Sequence, residues 1–169
     1  MSVTEFTPSD DGRGLRIGIV AAQWNEAIVR RLLDGALTTL RARGVADADI
    51  EVWWVPGSLE LPTAASLAAH RGRRAPAEGR APREFHAVVA LGCVIRGETE
   101  HFRLVADAAA QGLLRVALDT EVPVLNGVLA VEDAGQAEAR SGGEHGNAGS
   151  QAALAAVRMA NLQRVRGMS

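Results

Sequence analysis

The chain has 169 residues, 47% of them hydrophobic and 22% charged, and carries a formal net charge of -2. This length suits a single domain with its own core, and the weak negative charge argues against a nucleic-acid surface built on bulk positive charge. All 18 basic residues are arginine and tyrosine is absent, which excludes a lysine Schiff base and a tyrosine general acid. The single cysteine, Cys93, excludes an internal disulfide.

Residues 1–14 are polar and predict a disordered tail, followed by one folded domain at 15–169. The tail lacks the basic and apolar regions of a secretory signal, and no apolar run approaches the ~18 residues of a membrane span. The sequence therefore predicts a cytoplasmic protein with neither a membrane nor a nucleic-acid partner.

Four apolar segments rich in β-branched residues predict strands, and segments of helical periodicity follow them. The first helix is expected to begin at Asn25 as its N-cap, and Asn126-Gly127 to form a turn within the last apolar run. Strands that alternate with helices are typical of βαβ units, so we predict an α/β fold, a three-layer sandwich around a parallel sheet. The strands are predicted in LRIGIVAA, DIEVWWVPG, FHAVVALGCVI and VPVLNGVLAV.

A low-complexity segment, RGRRAPAEGRAPRE at 71–84, separates the second helix from the third strand. Its composition predicts an exposed and mobile insertion. Five arginines against two glutamates are compatible with a solvated loop and with a surface for an acidic partner, and both interpretations stay open.

In a parallel sheet, ligands bind beyond the carboxyl ends of the strands, so the loops after the strands are the informative ones. After the first strand, Trp24 either closes the sheet edge or stacks on a planar heterocycle. After the second strand, Gly57 lets a ligand approach the backbone, while Ser58 and Glu60 offer a hydroxyl and a carboxylate. The alternative is a simple helix start, with Ser58 as N-cap and Glu60 in the first turn.

The third strand runs into the polar segment RGETEH. Gly97, Glu98 and Thr99 precede a long helix, whose free N–H groups and positive end suit a phosphate. His101 at the helix start is either a general acid/base or a surface capping residue. Arg140, which precedes a glycine-rich segment, is either solvated or a second phosphate ligand.

The other histidines, His70, His86 and His145, form no pair with metal-ligand spacing, so no metal site is implied. The motifs of the common nucleotide and dinucleotide folds are also absent from the sequence. The residues alone thus predict an α/β domain that binds a phosphate and a planar ring and has one acid/base histidine.

The segments VAAQWN, PGSLELP, LGCVIRGETEHF, NGVL and GNAGSQAA, in this order, resemble the lumazine synthase family. The resemblance implies a flavodoxin-like sandwich with a four-stranded parallel sheet. The implied reaction condenses 5-amino-6-(ribitylamino)uracil with 3,4-dihydroxy-2-butanone 4-phosphate to 6,7-dimethyl-8-ribityllumazine, in riboflavin biosynthesis and without a cofactor. The implied assembly is a homopentamer with active sites between neighbouring subunits, and some members of the family form sixty-subunit shells.

The resemblance also assigns roles within one subunit. Trp24 stacks on the pyrimidine, and His101 is the acid/base that assists phosphate elimination. The loop after the second strand holds the ribityl chain and the end of the third strand binds the pyrimidine edge, through Gly57, Ser58, Glu60, Cys93, Val94 and Ile95. The phosphate is assigned to Gly97, Glu98 and Thr99.

A neighbouring subunit is expected to complete the site, with Leu125 and Asn126 beside the ring and Arg140 on the phosphate. One departure from the family concerns the late motif GNKGxEAA, which reads GNAGSQAA here and places Ala148 where the family has a substrate-contacting lysine. This departure leaves two alternatives to the synthase: a specialised paralogue with another substrate pair, or a non-catalytic oligomer that binds a ribityl-pyrimidine or a flavin.

Overall fold

The structure of the chain, a computed structural model, describes residues 3–71 and 84–166. The predicted insertion at 71–84 therefore lies outside the described residues, except for its two ends. Among the described residues, no helix has both the length and the apolar character that crossing a membrane requires.

The core of the fold is one parallel sheet of four strands in the order β2-β1-β3-β4. Five α-helices, two single-turn 3₁₀ helices (Asp47–Asp49 and Ser58–Glu60) and a short antiparallel hairpin, β5–β6, complete the described structure. The strands are β1 (Ile17–Ala22), β2 (Ile50–Val55), β3 (Ala87–Ile95), β4 (Val124–Val131), β5 (Ser141–Gly143) and β6 (Gly146–Asn147). The helices are α1 (Glu26–Ala42), α2 (Leu61–Ala69), α3 (His101–Thr120), α4 (Ala134–Arg140) and α5 (Ala148–Arg166).

Both faces of the sheet are covered, because successive strand residues point to opposite sides. On β3, Val89 and Leu91 pack with α1, α4 and α5 in one buried cluster. The alternate residues Val88 and Ala90 pack with α2 and α3 in a second cluster. The predicted α/β/α sandwich with a four-stranded parallel sheet is thus confirmed.

Strand β3 extends beyond the end of its neighbour β1 at the carboxyl end. The β1–β3 register runs from the Ile17↔Ala87 pair and ends at Ala21↔Leu91. The β3–β4 register continues to Ile95↔Val131. The last residues of β3 therefore have a strand neighbour on the β4 side, while the other side of the strand is open to the loops that follow β1 and β2.

Of the two expectations for asparagines, one is confirmed. Asn25 is the N-cap residue of α1, although it adopts a left-handed conformation (φ 58°, ψ 42°) and its side chain makes no cap bond to the helix. The turn expected at Asn126-Gly127 was wrong, because both residues continue β4. Gly127 is required by packing, because a Cβ there would lie 2.8 Å from the Leu91 side chain and 3.0 Å from the Ala90 carbonyl oxygen.

The end of the predicted tail follows a fixed path along α5. The Asn161 amide donates to the carbonyl oxygens of Ser9 (2.9 Å) and Asp11 (2.8 Å), and Arg158 pairs with Asp10 at 2.6 Å. These contacts join segments about 150 positions apart, beyond the reach of a local composition argument. The disorder predicted for residues 1–14 therefore does not extend to residues 9–14.

Helices α1 and α5 cross closely at Gly149. A Cβ at this position would collide with the Leu32 carbonyl oxygen of α1. We expect Gly149→Ala to lower the free energy of unfolding by about 1–3 kcal/mol, the usual cost of overpacking. Helix propensity alone predicts the opposite sign, a gain of about 1 kcal/mol. Urea unfolding checks this, with Ser150→Ala as a control that is expected to change little; a stabilised Gly149→Ala variant would contradict the close crossing.

Burial of His86 predicts a pH dependence of stability. Its Nδ1 accepts a hydrogen bond from the Arg16 backbone N–H at 2.8 Å. Desolvation, then the charge of Arg164, lower the pKa of His86 below its ordinary 6.5. As the pH falls, the His86 imidazole becomes protonated in the unfolded chain before it does so in the folded one. Protonation of His86 therefore lowers the free energy of unfolding as the pH falls below 6.5.

We expect the free energy of unfolding to fall more between pH 7.5 and pH 5.5 in the wild type than in His86→Asn, whose amide oxygen keeps an acceptor at a similar position. Urea titrations at the two pH values measure this. Equal decreases in both proteins would exclude His86 as the source.

Candidate active site

A cavity of about 340 Å³ lies at the carboxyl ends of β1, β2 and β3. The loops that follow these three strands form its walls, and the first turns of α3 close one side. The lining residues are Trp24, Asn25, Gly57, Ser58, Leu59, Glu60, Cys93, Val94, Ile95, Gly97, Thr99, His101, Phe102 and Val105.

The cavity gathers most of the residues that the sequence singled out. Ten of the fourteen predicted site residues line it: Trp24, Gly57, Ser58, Glu60, Cys93, Val94, Ile95, Gly97, Thr99 and His101. A wider, open groove of about 870 Å³ between α1 and the β5–β6 hairpin contains none of the fourteen. The position at the strand ends and the convergence of polar groups both favour the smaller cavity as the candidate site.

The floor of the cavity is the end of β3. Cys93 is buried, and burial raises the pKa of its thiol to about 11. The thiol therefore stays protonated at neutral pH and serves as apolar packing rather than as a nucleophile. The Arg96 N–H donates to the Val131 carbonyl at 2.9 Å, so the backbone of Ile95, one residue earlier, points away from β4. The Ile95 peptide groups are thereby presented on the open side of the strand.

Trp24 stands at the mouth of the cavity with 74% of its surface exposed, so it does not fill the edge of the sheet. Its loop is bound to the end of β2, where the Gln23 N–H donates to Val55 at 2.8 Å and the Trp24 N–H to Pro56 at 3.1 Å. An exposed indole beside a partly apolar cavity is suited to stacking on a planar ligand.

Ser58 and Glu60 belong to a short 3₁₀ turn that leads into α2. Ser58 is 5% exposed and is not a cap residue, because Gly57 precedes the 3₁₀ turn and Glu60 precedes α2 as their N-caps. A Cβ on Gly92 would lie 2.8 Å from the Ser58 Oγ, so the glycine in β3 makes room for this hydroxyl. The helix-start interpretation thus explains the position of the turn but not the side chain of Ser58.

The loop between β3 and α3 combines open space with a helix amino terminus. A Cβ on Gly97 would meet no atom within 4 Å. The Thr99 hydroxyl accepts the His101 backbone N–H at 3.4 Å, and α3 begins at His101. Glu98 is exposed and does not line the cavity. The positive end of a 20-residue helix and an unobstructed backbone are the features that anion binding requires.

Three predicted residues lie away from this cavity. Leu125 pairs with Val89 of β3, six positions before Ile95, which corresponds to about 20 Å along the strand. Asn126 is exposed on the next position of β4, and Arg140 ends α4 with a 3.4 Å bond to the Gln136 carbonyl. For Leu125 and Asn126, the distance from the cavity follows from the β3–β4 register.

Ala148 also lies elsewhere. It begins α5 and packs, half-buried, against the larger core cluster. A side chain at this position is therefore held by the helix amino terminus and not by the loops that form the cavity.

Sequence reasoning missed four lining residues. Phe102 and Val105 share a helix face near His101, so their spacing in α3 could have indicated them. Leu59 lies between two residues that were predicted. Asn25 was interpreted only as a helix cap, and its left-handed backbone and its bond to Cys93 depend on the tertiary structure.

Comparison with known proteins adds independent evidence. Residues 14–164 match the family model for 6,7-dimethyl-8-ribityllumazine synthase. The chain is 50% identical over 147 residues to the protein of that name from Stenotrophomonas maltophilia (strain R551-3), which covers 87% of this chain and 88% of the relative. Identity is 48% to the synthase of Xanthomonas campestris pv. campestris (strain B100) and 47% to that of Xanthomonas oryzae pv. oryzae (strain PXO99A), with the same coverage. The chain therefore belongs to the 6,7-dimethyl-8-ribityllumazine synthase family.

Proposed function

We propose that this enzyme condenses 5-amino-6-(ribitylamino)uracil with 3,4-dihydroxy-2-butanone 4-phosphate to 6,7-dimethyl-8-ribityllumazine, with loss of phosphate and water. One observation carries the proposal: the cavity at the strand ends combines an exposed indole, the polar side chains of Ser58 and Glu60, and an open helix amino terminus. We place the reaction in the cytoplasm, as the sequence predicts.

The two alternatives are not favoured. Relatives that are 47–50% identical over 87% of the chain all carry the name of the synthase. Ala148 lies at the start of α5, outside the cavity, so the ten gathered residues of this subunit are unchanged. Like Arg140, position 148 bears only on the part of the site that a neighbouring subunit would complete. A specialised paralogue or a non-catalytic oligomer therefore has no supporting feature in the described cavity.

Binding of the pyrimidine is assigned to the strand ends. Trp24 covers one face of the ring, and the backbone of Cys93, Val94 and Ile95 meets its edge. Gly57, Ser58 and Glu60 hold the ribityl chain. The reacting amine belongs to the pyrimidine, so a protein without lysine has only to position the partners, move protons and stabilise the leaving phosphate.

Phosphate and proton chemistry are assigned to the start of α3. Gly97, Glu98 and Thr99 form the cradle, in which the open space at Gly97 lets phosphate approach the backbone. His101 faces the same cavity and transfers the proton that phosphate elimination requires. Glu98 contributes through its backbone N–H, since its carboxylate would repel the anion.

A second copy of the chain is proposed to supply Leu125, Asn126 and Arg140. The register separates Leu125 from the end of β3 by about 20 Å, so one subunit cannot bring both to the same ligand. The proposed assembly is a homopentamer, and a sixty-subunit shell is its extension in some relatives of this family.

Helix α3 offers an apolar surface for such an assembly. Only three of its 20 residues are buried: Ala109, Leu113 and Thr120. Leu104, Leu114 and Leu118 are 67%, 61% and 71% exposed. Several exposed leucines on one helix are typical of a protein–protein interface.

We expect His101→Ala to lower kcat by about 10²- to 10⁴-fold, the range for a lost general acid/base. Steady-state assays with both substrates measure this. His70→Ala is the matched control, because His70 lies at the far end of α2, outside the cavity, and its variant should keep wild-type kcat. Unchanged turnover in His101→Ala would remove the assignment.

The shared site is tested by mixing two inactive variants. His101→Ala lacks the acid/base and Arg140→Ala lacks the phosphate ligand, so each homo-oligomer is expected to be impaired. If neighbouring subunits contribute these residues, refolding the two variants together restores about a quarter of the sites by random pairing.

The control is each variant refolded alone, which should stay impaired. Mixed oligomers that show no more activity than the two separate variants would mean that His101 and Arg140 act in the same subunit. Light scattering on the mixture gives the size of the assembly in the same experiment.

A further inference from the structure

Asn25 adopts a backbone conformation that ordinary side chains avoid. Among the described residues, only Asn25 (φ 58°) and Glu121 (φ 57°) are non-glycine residues with positive φ. Asparagine tolerates this region better than most residues, but the conformation still has a cost and needs compensation. A contact that only this conformation permits therefore indicates what Asn25 does.

The side chain of Asn25 makes that contact with β3, at the wall of the cavity. Its Nδ2 donates to the Cys93 carbonyl oxygen at 2.9 Å, between residues 68 positions apart. In a parallel sheet, the backbone groups of alternate residues point to the same side. Because Arg96 bonds to β4, Cys93 and Ile95 point to the side of β1, whose pairing with β3 has ended at Leu91.

The Asn25 amide thus donates to Cys93 as a backbone N–H of a longer β1 would. The other backbone bonds of this loop go to the end of β2, from Gln23 and Trp24. The bond to Cys93 is the tie between the Trp24 loop and β3. The Asn25 carbonyl meanwhile accepts the N–H groups of Ile28 (3.0 Å) and Val29 (3.2 Å), so the same residue fixes the start of α1.

We propose that Asn25 is a positioning residue for the pyrimidine substrate. The inference rests on the proposed function and adds a residue to it. By tying its loop to Cys93, Asn25 holds the neighbouring indole of Trp24 at a fixed height above the end of β3. A planar ring then fits between the indole and the presented Ile95 backbone. The phosphate loop follows β3 and is not tied to Asn25, so the sugar phosphate should be insensitive to this residue.

The test uses variants that separate the backbone from the amide. Asn25→Gly keeps the left-handed conformation and removes the donor, while Asn25→Asp keeps the shape and replaces the donor with an acceptor. Glu121→Gly is the matched control, because it substitutes glycine at the other left-handed residue, which is far from the cavity. KM for each substrate, kcat and the melting temperature are measured, together with calorimetric binding of 5-amino-6-(ribitylamino)uracil alone.

We expect Asn25→Gly to raise KM for the pyrimidine by about 3- to 10-fold, as for one lost hydrogen bond, with kcat and the other KM within about twofold of wild type. Asn25→Asp should be affected at least as strongly. The melting temperature of Asn25→Gly should stay within about 4 °C of wild type. Glu121→Gly should retain both KM values.

Several outcomes would overturn the proposal. Wild-type KM for the pyrimidine in Asn25→Gly would show that the amide bond is dispensable, while wild-type turnover keeps the proposed function intact. An equal rise in both KM values with a large loss of melting temperature would assign Asn25 a structural role alone. If the wild type does not convert the two substrates, weaker binding of the pyrimidine by Asn25→Gly still supports the positioning role. If the wild type does not bind the pyrimidine at all, both proposals are removed.

Discussion

The candidate site depends on one mismatch of strand length: β3 continues beyond the point at which β1 stops pairing with it. A parallel strand that keeps a neighbour on one side and loses it on the other has unpaired backbone groups on the second side. Here the loops after β1 and β2 lie on that side, and a cavity remains between them and β3. The cavity contacts β3 from Cys93 to Ile95, and the loop that continues from β3 leads directly into α3. Stacking, hydrogen bonding and anion binding thereby meet within one small volume.

Much of this arrangement could be predicted from the sequence, because the carboxyl ends of parallel strands share one edge. Residues that follow different strands, such as Trp24, Ser58 and His101, can be grouped without knowing the strand order. Other features depend on information that no short segment contains. The position of Leu125 depends on the β3–β4 register, the fixed path of residues 9–14 depends on donors from α5, and the role of Asn25 depends on a carbonyl 68 positions away. Local propensity suggested a turn at Asn126-Gly127, but sheet packing required the glycine for another reason.

The opposite end of the sheet is built from arginine and aromatic rings. The guanidinium of Arg16 lies 5.1 Å from the centroid of Phe85 and pairs with Glu51 at 3.0 Å. Arg71 lies over the rings of Trp53 (5.4 Å) and Phe85 (5.7 Å). A planar guanidinium can stack on a ring and bind a carboxylate at the same time, which an ammonium group does less well. Arg16 and Arg71 therefore cover the amino ends of the strands, while the carboxyl ends remain open for ligands.

The glycines of this chain are constrained in two different ways. Gly92 and Gly127 are required by neighbours inside the subunit, so any change there affects folding whether or not the enzyme is needed. At Gly97 nothing in the subunit competes for the space of a side chain. A cell that obtained its riboflavin from outside would still select for a folded, non-aggregating protein, and would keep the first two glycines for that reason alone. Position 97 would then be free to drift, and a substitution there would record the loss of the substrate before any change in the fold.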